Sequence, residues 1–305
     1  MLNYAIRRIL MACLLTIFVS FVAYCLIFAS GDPAAAVAGE SSTAADADRL
    51  RHLYGFDQPI IVQYLHWLSG IVRGDFGTSL YFGQPVATLL LDRFAVTARI
   101  GFFALILTLL VAVPLGVVAG RWPNSLVDRL ALLFALVGQA MPSFWFALLL
   151  MIVFSVKLAI LPASGLSSWQ GYIMPTIVLG YFSMPSIVRL TRSGMSSALE
   201  SDYIRTARAM GLSEKRILFD YALRNAALPV IGLASAEFGF MLAGSIVVEN
   251  VFAINGAGSL AWQSISRADL PTIQALVLCL SVFYVVLTLA ADLLNAILDP
   301  RMRSK

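Results

Sequence analysis

The sequence predicts an all-α polytopic membrane protein with six transmembrane helices. Three observations carry this prediction: a large apolar excess, a low and clustered charge content, and apolar runs long enough to cross a bilayer. Hydrophobic residues make up 60% of the 305-residue chain and charged residues only 12%, whereas soluble domains contain about 25% charged residues. Because the charges cluster between the apolar runs, lipid rather than water is expected to surround most of the chain.

Six apolar runs are close to the roughly 20 residues that a spanning helix needs. They cover residues 9–29, 100–119, 130–156, 172–188, 226–248 and 270–291. The first run is longer than the roughly 7–15 apolar residues of a signal peptide, so we expect a retained anchor rather than a cleaved signal. Gln139 and Pro142 interrupt the third run, and Pro229 is predicted to open the fifth helix.

The distribution of Lys and Arg residues predicts the orientation of the chain in the membrane. They cluster before the first run, after the second, in the long loop after the fourth, and after the sixth, whereas the segment after the first run is rich in acids. The positive-inside rule therefore predicts that both termini are cytoplasmic and that residues 30–94 are extracytoplasmic. The same loops account for the net charge of +4, so no nucleic-acid partner is expected.

The predicted extracytoplasmic segment contains an amphipathic helix. Asp57-Gln58-Pro59 favours a helix start, and apolar residues recur at helical spacing from Ile60 to Val72. Two interpretations remain open for this helix. It lies at the membrane interface with Tyr64 and Trp67 at headgroup depth, or it forms a small cap on the outer ends of the spans.

The loop 189–228 is the longest polar stretch on the predicted cytoplasmic side. Asp202 favours the start of a short helix and Gly211 its end, and Ser213 is predicted to cap a second helix that reaches Tyr221. Small residues such as Ala207 allow another surface to approach closely. The pattern indicates a docking element for a cytoplasmic partner, with an amphipathic surface on anionic lipid as the alternative.

Several colinear motifs add a family resemblance. They are Gly-Phe-Asp-Gln-Pro at 55–59, Gly-Asp-Phe-Gly-Thr-Ser at 74–79, Asp-Tyr-Ile-Arg-Thr-Ala-Arg-Ala-Met-Gly-Leu-Ser at 202–213, Val-Glu-Asn-Val-Phe at 248–252 and Leu-Asp-Pro-Arg at 298–301. Together they resemble the permease subunits of ABC importers, and more narrowly the peptide/nickel (dipeptide–oligopeptide) permease family. The resemblance implies the type I permease architecture, with a first helix and extracytoplasmic segment over 1–95 and a five-helix permease core over 96–305.

The resemblance also implies a function and partners. The chain would be one half of the translocation pathway of an ATP-driven, binding-protein-dependent importer in the bacterial cytoplasmic (inner) membrane. Di- or oligopeptides are the expected substrates, with glutathione or nickel chelates as alternatives. A second homologous permease, two cytoplasmic ATP-binding subunits and an extracytoplasmic substrate-binding protein would complete the complex. The ATPase-coupling residues that it implies are Asp202, Tyr203, Arg205, Thr206, Ala207, Arg208, Gly211, Leu212, Ser213 and Arg216.

The chain is not expected to be an enzyme or to bind a cofactor. It contains no G-x-x-x-x-G-K-[ST] sequence, so ATP and Mg²⁺ are expected on the partner ATPases. Its histidines, His52 and His66, both fall in the outer segment, and no H-E-x-x-H or Cys/His cluster is present, so neither a metal site nor a membrane enzyme is predicted. A secondary transporter commonly has repeated halves, and none is recognisable here.

Glu237 is the acid that the sequence places well inside a predicted span. A charge in the membrane costs at least about 2.5 kcal/mol and is usually paired or facing water. Glu237 is interpreted either as a pathway residue that meets a peptide amine, or as a structural group bonded to the partner permease or placed near the cytoplasmic end. Phe238, Phe240 and Met241 are predicted to form an apolar gate beside it, with ordinary packing as the alternative.

Overall fold

The computed structural model of the chain describes residues 2–29, 34, 43–53 and 55–298. In chain order its helices are α1 (Leu2–Ala29), α2 (Ala44–Leu53), α3 (Ile60–Val72), α4 (Val86–Arg121), α5 (Leu126–Ala140), α6 (Ser143–Leu150), α7 (Ile173–Leu199), α8 (Asp202–Ala209), α9 (Glu214–Arg216), α10 (Arg224–Val251), α11 (Ala257–Ser266) and α12 (Leu270–Leu298). π-Helical stretches follow α6 at Met151–Lys157 and join α9 to α10 at Ile217–Leu223, and a 3-10 turn at Trp169–Tyr172 precedes α7.

The predicted all-α membrane fold is confirmed. Within the described residues, five helical segments are long and apolar enough to cross a bilayer, and they lie at Ile9–Leu26, Val86–Arg121, Trp169–Leu199, Glu214–Val251 and Leu270–Ala291. The helix pair Leu126–Ala140 and Ser143–Lys157 makes a sixth span when the pair is counted as one. The segments Val86–Arg121, Trp169–Leu199 and Glu214–Val251 extend beyond the predicted apolar runs, because flanking residues of mixed polarity continue each helix.

The predicted third span is a broken one rather than a continuous rod. Its two halves are bent by 101° between Ala140 and Ser143. Pro142 causes the bend, because a residue that precedes proline is pushed out of the α region. Met141 accordingly has an extended backbone, with φ −89° and ψ 134°.

The prediction that Pro229 opens the fifth helix is wrong. Pro229 lies inside α10, and the helical backbone is continuous from Glu214 to Val251. Membrane helices tolerate internal prolines, because neighbouring groups satisfy the carbonyl that loses its N–H partner. The second short helix predicted at 213–221 is therefore the first part of the same rod, and a movement at Glu214 is transmitted directly into α10.

The chain forms two compact units. The first contains Met1–Val96 and Asn255–Val286, and the second contains Thr97–Ile254 and Leu287–Lys305. In the second unit, α7 packs against both α5 and α10 around a core of Ala112, Ala135, Met184, Ile187, Val188, Val230 and Ala234. The division at 95/96 that the sequence suggested stays a prediction.

A buried carboxylate organises the first unit. Asp269 is fully buried at the start of α12 and accepts hydrogen bonds from the Ser79 hydroxyl at 2.5 Å, the Leu80 amide at 2.9 Å and the Thr272 hydroxyl at 2.7 Å. The Phe82 amide donates to the Ser79 oxygen in turn. The turn-rich segment before α4 is thus fixed to the start of α12 by one charged group whose hydrogen bonds offset its burial.

Candidate functional site

The polar loop between α7 and α10, residues 200–223, contains the residues that the sequence singled out; we name it the 200–223 loop. Its helix α8 follows Ser201 and buries Ile204 and Ala207. These two residues are three positions apart, so they lie on one face of the helix. Arg205 and Thr206 are on the opposite face and are exposed. The alternation of small apolar and charged residues therefore gives α8 one side for packing and one for a partner.

A glycine makes the turn that ends α8. Gly211 has φ +79°, in the left-handed region that favours glycine. Its amide donates to the Arg208 carbonyl at 2.9 Å, and the Leu212 amide donates to the Ala207 carbonyl at 3.2 Å. This is the Schellman arrangement, which satisfies carbonyls at the end of a helix. The predicted role of Gly211 as the helix terminator is confirmed.

Two side-chain contacts join the parts of the loop. The Arg208 guanidinium donates from Nε to Oε1 of Glu214 at 2.9 Å, across the Gly211 turn. The Asn225 side-chain amide donates to the Tyr203 hydroxyl at 2.9 Å and so connects α8 to the start of α10. The loop is consequently a defined helix–turn–helix unit rather than a tether.

The other charges of the loop face solvent. Arg205 pairs with Asp202 at 3.2 Å, and Arg216 pairs with Asp220 at 3.6 Å, each within one helical turn. Exposed pairs of this kind contribute at most about 1 kcal/mol, so they are easily exchanged for contacts with another protein. Ser213 occupies the predicted cap position, but its hydroxyl makes no cap hydrogen bond.

An apolar core lies under the loop and ties it to three long helices. Ile204 and Ile217 are completely buried in it. The full cluster is Val117, Met195, Ala198, Ile204, Ala207, Ile217, Leu218, Ala222 and Ala226. Because α4, α7, α8 and α10 share this close-packed core, displacement of α8 must move the helices with it.

Glycines bring α4 and α7 into close contact beneath the loop. A Cβ added to Gly116 would lie 2.5 Å from Cβ of Thr191, and one added to Gly120 would lie 2.6 Å from the carbonyl oxygen of Arg192. Small residues at such positions let membrane helices approach backbone to backbone. The Gly-x-x-x-Gly spacing of residues 116 and 120 was the sequence signal that could have predicted this contact.

An ion pair joins α5 to α7 on the same side of the unit. The Arg192 guanidinium donates to both carboxylate oxygens of Asp128, and the Nη2–Oδ2 distance is 2.7 Å. Asp128 is buried and also accepts from the Asn124 amide at 2.8 Å. Asp128 and Arg192 are 64 positions apart in the sequence, so no local pattern predicted that they would form a pair.

The structure separates the residues of the predicted gate. Phe238 and Met241 are buried, and Phe238 packs so closely on α4 that a Cβ on Gly101 would lie 2.9 Å from its ring. Phe240 instead points outward and is 68% exposed. Glu237 is half-buried and makes no hydrogen bond or ion pair to any other residue that the structure describes.

Helix α10 contains a second acid, Glu249, which is more buried than Glu237. Glu249 is 1% exposed and accepts a hydrogen bond from the Thr97 hydroxyl at 2.6 Å, which joins α10 to α4. The Ile254 amide donates to the Glu249 backbone carbonyl at 2.7 Å at the helix end. Glu249 therefore has a structural partner within the chain, which Glu237 lacks among the described residues.

The second unit also has an open apolar groove of about 660 Å³. It is lined by Arg99, Phe103, Leu107, Trp169, Tyr172, Ile173, Thr176 and Ile177. Neither Glu237 nor the predicted gate residues line it. In the described part of the chain, no His, Cys, Asp or Glu side chains are grouped so that they could hold a metal ion.

Comparisons with known proteins agree with this architecture. The family model described as binding-protein-dependent transport system inner membrane component matches residues 112–304. The model of the N-terminal membrane component of the same transport systems matches residues 1–101. The chain belongs to the binding-protein-dependent transport system inner membrane component family. It is therefore a multi-pass inner-membrane permease of an ABC importer, and the importer prediction is confirmed over the secondary-transporter alternative.

Individual relatives give the same result. The glutathione transport system permease protein GsiC of Salmonella typhimurium (strain LT2) is 38% identical over 306 residues, which cover 100% of both chains. The protein of the same name from Escherichia coli (strain K12) is also 38% identical over the whole length. A solved chain of the MetNI methionine ABC transporter in an inward-facing conformation has a TM-score of 0.58 at 18% identity, covering 69% of this chain and 96% of the other. That likeness shows a shared fold.

Membership in the family places the chemistry of ATP on other subunits. Permeases of this family work with ATPases and with a periplasmic binding protein, and they are not ATPases themselves. The residues of the 200–223 loop form a single unit at one end of the helices, and their contact with an ATPase stays a prediction.

Proposed function

We propose that this permease imports short peptides and that glutathione, itself a tripeptide, is within its substrate range. The support is the full-length similarity to permeases of glutathione transport systems together with the motifs of the peptide-permease group. A nickel chelate is the competing cargo. Selectivity of the system would be set largely by the binding protein, and the permease would provide the passage.

The 200–223 loop is the element that an ATPase would contact and displace. The observation that carries this proposal is the division of α8 into two faces. Ile204 and Ala207 are buried in the core that α4, α7 and α10 share, whereas Arg205 and Thr206 are exposed on the opposite face of α8. A force on the exposed face is therefore transmitted to the long helices as a rigid-body movement.

The proposal includes an orientation and a stoichiometry. The arginines of the loop, together with Arg121 and Arg129 on either side of the α4–α5 turn, favour the cytoplasmic side by the positive-inside rule, which puts both termini there as well. The complex would contain a second, homologous permease beside this one and two ATP-binding subunits, so that each permease presents one loop to one ATPase.

The test is uptake by the reconstituted complex. This permease is produced with its second permease, ATPases and binding protein, and vesicles are assayed with labelled glutathione, dipeptides, longer peptides and a nickel chelate. We expect ATP-dependent uptake of the peptides. Uptake of the nickel chelate alone would overturn the peptide assignment.

Cysteine crosslinking tests the loop separately. A Thr206→Cys permease is combined with ATPases that carry single cysteines, and Gln84→Cys, exposed in the segment before α4, is the matched control. We expect crosslinks from residue 206 and none from residue 84. The opposite pattern would contradict both the coupling role and the proposed orientation.

A further inference from the structure

Helix α3 has one buried face and one exposed apolar face. Tyr64 is 4% exposed and packs on α1. Ile61, Leu65 and Val72, which recur at helical spacing on a neighbouring side of α3, are 59%, 57% and 82% exposed. This stripe is entirely apolar, and the exposed polar residues His66 and Ser69 lie beside it on the free side of α3. A helix packed as a cap in water is expected to expose polar residues over its whole free side.

The contacts of Tyr64 define the depth of α3. Its hydroxyl is 2.6 Å from the Ser20 hydroxyl and donates to the Ile17 carbonyl at 3.2 Å. Ile17 lies near the middle of the apolar window Ile9–Leu26 of α1, about 13 Å of helix before its end. A tyrosine side chain spans only about half of that length, so the backbone of α3 crosses α1 inside the apolar window rather than beyond it.

Ring contacts agree with this depth. The Tyr64 ring lies edge-on to Phe21 at 5.1 Å and to Tyr24 at 5.6 Å between centroids, and Trp67 lies 6.1 Å from Tyr24. Phe21 and Tyr24 belong to the same apolar window of α1. The middle of α3 is therefore level with the last two turns of that window.

The Gln63 side chain of α3 is satisfied within the protein, as hydrocarbon surroundings require, whereas the buried Trp67 Nε1–H has no hydrogen-bond partner among the described residues. Gln63 donates to the carbonyls of Phe56 and Gln58 at 3.2 and 2.7 Å, and its side-chain oxygen accepts from the Tyr24 hydroxyl at 3.3 Å. Its hydrogen-bonding groups need no water from this face.

We propose that α3 is a membrane-embedded amphipathic helix whose Ile61, Leu65 and Val72 side chains contact the acyl chains of the leaflet in which α1 ends. Amphipathic helices of this kind sit roughly 5–10 Å into the boundary between headgroups and acyl chains. The occupant is lipid because α1, which α3 adjoins, is itself a membrane span with exposed apolar side chains on both sides of the contact, including Phe18 and Leu26. The lipid-exposed surface of α1 continues onto α3.

The test measures the collision accessibility of spin labels in the full complex reconstituted into phosphatidylethanolamine–phosphatidylglycerol vesicles. Labels are placed at Leu65→Cys and Val72→Cys on the stripe and at His66→Cys on the exposed polar side. Phe18→Cys on α1 is the reference for hydrocarbon and Gln84→Cys the reference for water. Serines replace the native Cys13, Cys25 and Cys279, and the labelled side chains are all exposed, so attaching the labels disturbs no core contact.

Oxygen enriches in hydrocarbon, whereas a charged chromium complex is excluded from it. We expect the oxygen-to-chromium accessibility ratio at residues 65 and 72 to exceed that at residue 84 by roughly tenfold or more and to approach that at residue 18. A ratio equal to that at residue 84 would show a water-exposed cap and overturn the proposal. Exclusion of both reagents would show that another protein, rather than lipid, covers the stripe, and would overturn it equally.

Discussion

The Arg192 guanidinium on α7 donates hydrogen bonds to both carboxylate oxygens of Asp128 on α5. The Asp128 side chain is only 3% exposed and that of Arg192 27%. The pair lies next to the Gly120 contact between α4 and α7, because a Cβ on Gly120 would touch the Arg192 carbonyl. One short region of α7 thus contacts both α4 and α5.

Removal of the carboxylate should therefore destabilise the permease. Asp128→Ala leaves the partly buried Arg192 without its partner, and the loss of one member of a buried pair costs about 3–5 kcal/mol, reduced here to about 2 kcal/mol because Arg192 reaches solvent. We expect a lower melting temperature of the purified complex in scanning fluorimetry. The control is Asp202→Ala, which removes an exposed carboxylate. Equal melting temperatures for the two variants would contradict a structural role for the pair.

The Gly211 turn should determine whether the loop couples to ATP hydrolysis. Gly211→Val places a β-branched residue at φ +79°, which is strained by more than about 1 kcal/mol, although no atom lies within 4 Å of the new Cβ. We expect uptake driven by ATP to fall strongly while the complex still assembles. Gly211→Asn should restore much of the transport, because asparagine tolerates the left-handed region. If valine and asparagine behave alike, backbone conformation is not the cause.

The glycines of α4 should be required for folding of the second unit. Gly120→Val forces side-chain atoms into the backbone of α7, at 2.6 Å for Cβ alone, and overpacking of this kind costs typically about 1–3 kcal/mol. We expect a lower yield of assembled complex on size-exclusion chromatography. Gly244→Ala on α10 is the control, since nothing lies within 4 Å of its Cβ. A normal yield for Gly120→Val would show that α4 and α7 are farther apart.

Substitution of Glu237 should affect transport, whereas substitution of Glu249 should affect stability. Glu237→Gln is expected to lower peptide uptake without lowering complex assembly, because the side chain has no described partner in the chain to lose. Glu249→Gln is expected to lower the melting temperature, because it weakens the charge-assisted hydrogen bond from Thr97. Uptake assays and fluorimetry on both variants separate the effects. Unchanged transport by the Glu237→Gln variant at normal expression would contradict a role for Glu237 in the translocation pathway.

The Asp269 network should hold the segment before α4 in place. Asp269→Ala removes the acceptor for Ser79, Leu80 and Thr272, and hydrogen bonds to a charged group contribute about 1.5–3 kcal/mol each. We expect amide hydrogen exchange in residues 79–84 to accelerate by at least about tenfold, measured by mass spectrometry. Asp75→Ala, which removes one exposed carboxylate, is the control. Equal exchange in both variants would argue against the network.

Much of the candidate loop was readable from local patterns. Asp202 and Gly211 predict the start and the end of α8, because capping acts over a few residues. The buried face of α8 was not predicted: Ala207, which was expected to let another surface approach, packs in the core of the chain itself. The sequence did not predict that the helix Glu214–Val251 continues through Pro229. A proline breaks a membrane helix only if its surroundings leave the carbonyl that has lost its N–H partner without a hydrogen bond.

The sequence by itself determined the class of the protein. Apolar runs and clustered charges require a helical membrane protein because lipid offers no partners for exposed backbone groups, and colinear motifs assigned the permease family. The tertiary structure decided which distant residues meet: Asp128 with Arg192, Thr97 with Glu249, Ser79 with Asp269, and Tyr64 with Ser20. No local signal encodes these pairs, since each forms only when helices that are far apart along the chain pack together. The last of these pairs fixes where α3 crosses α1.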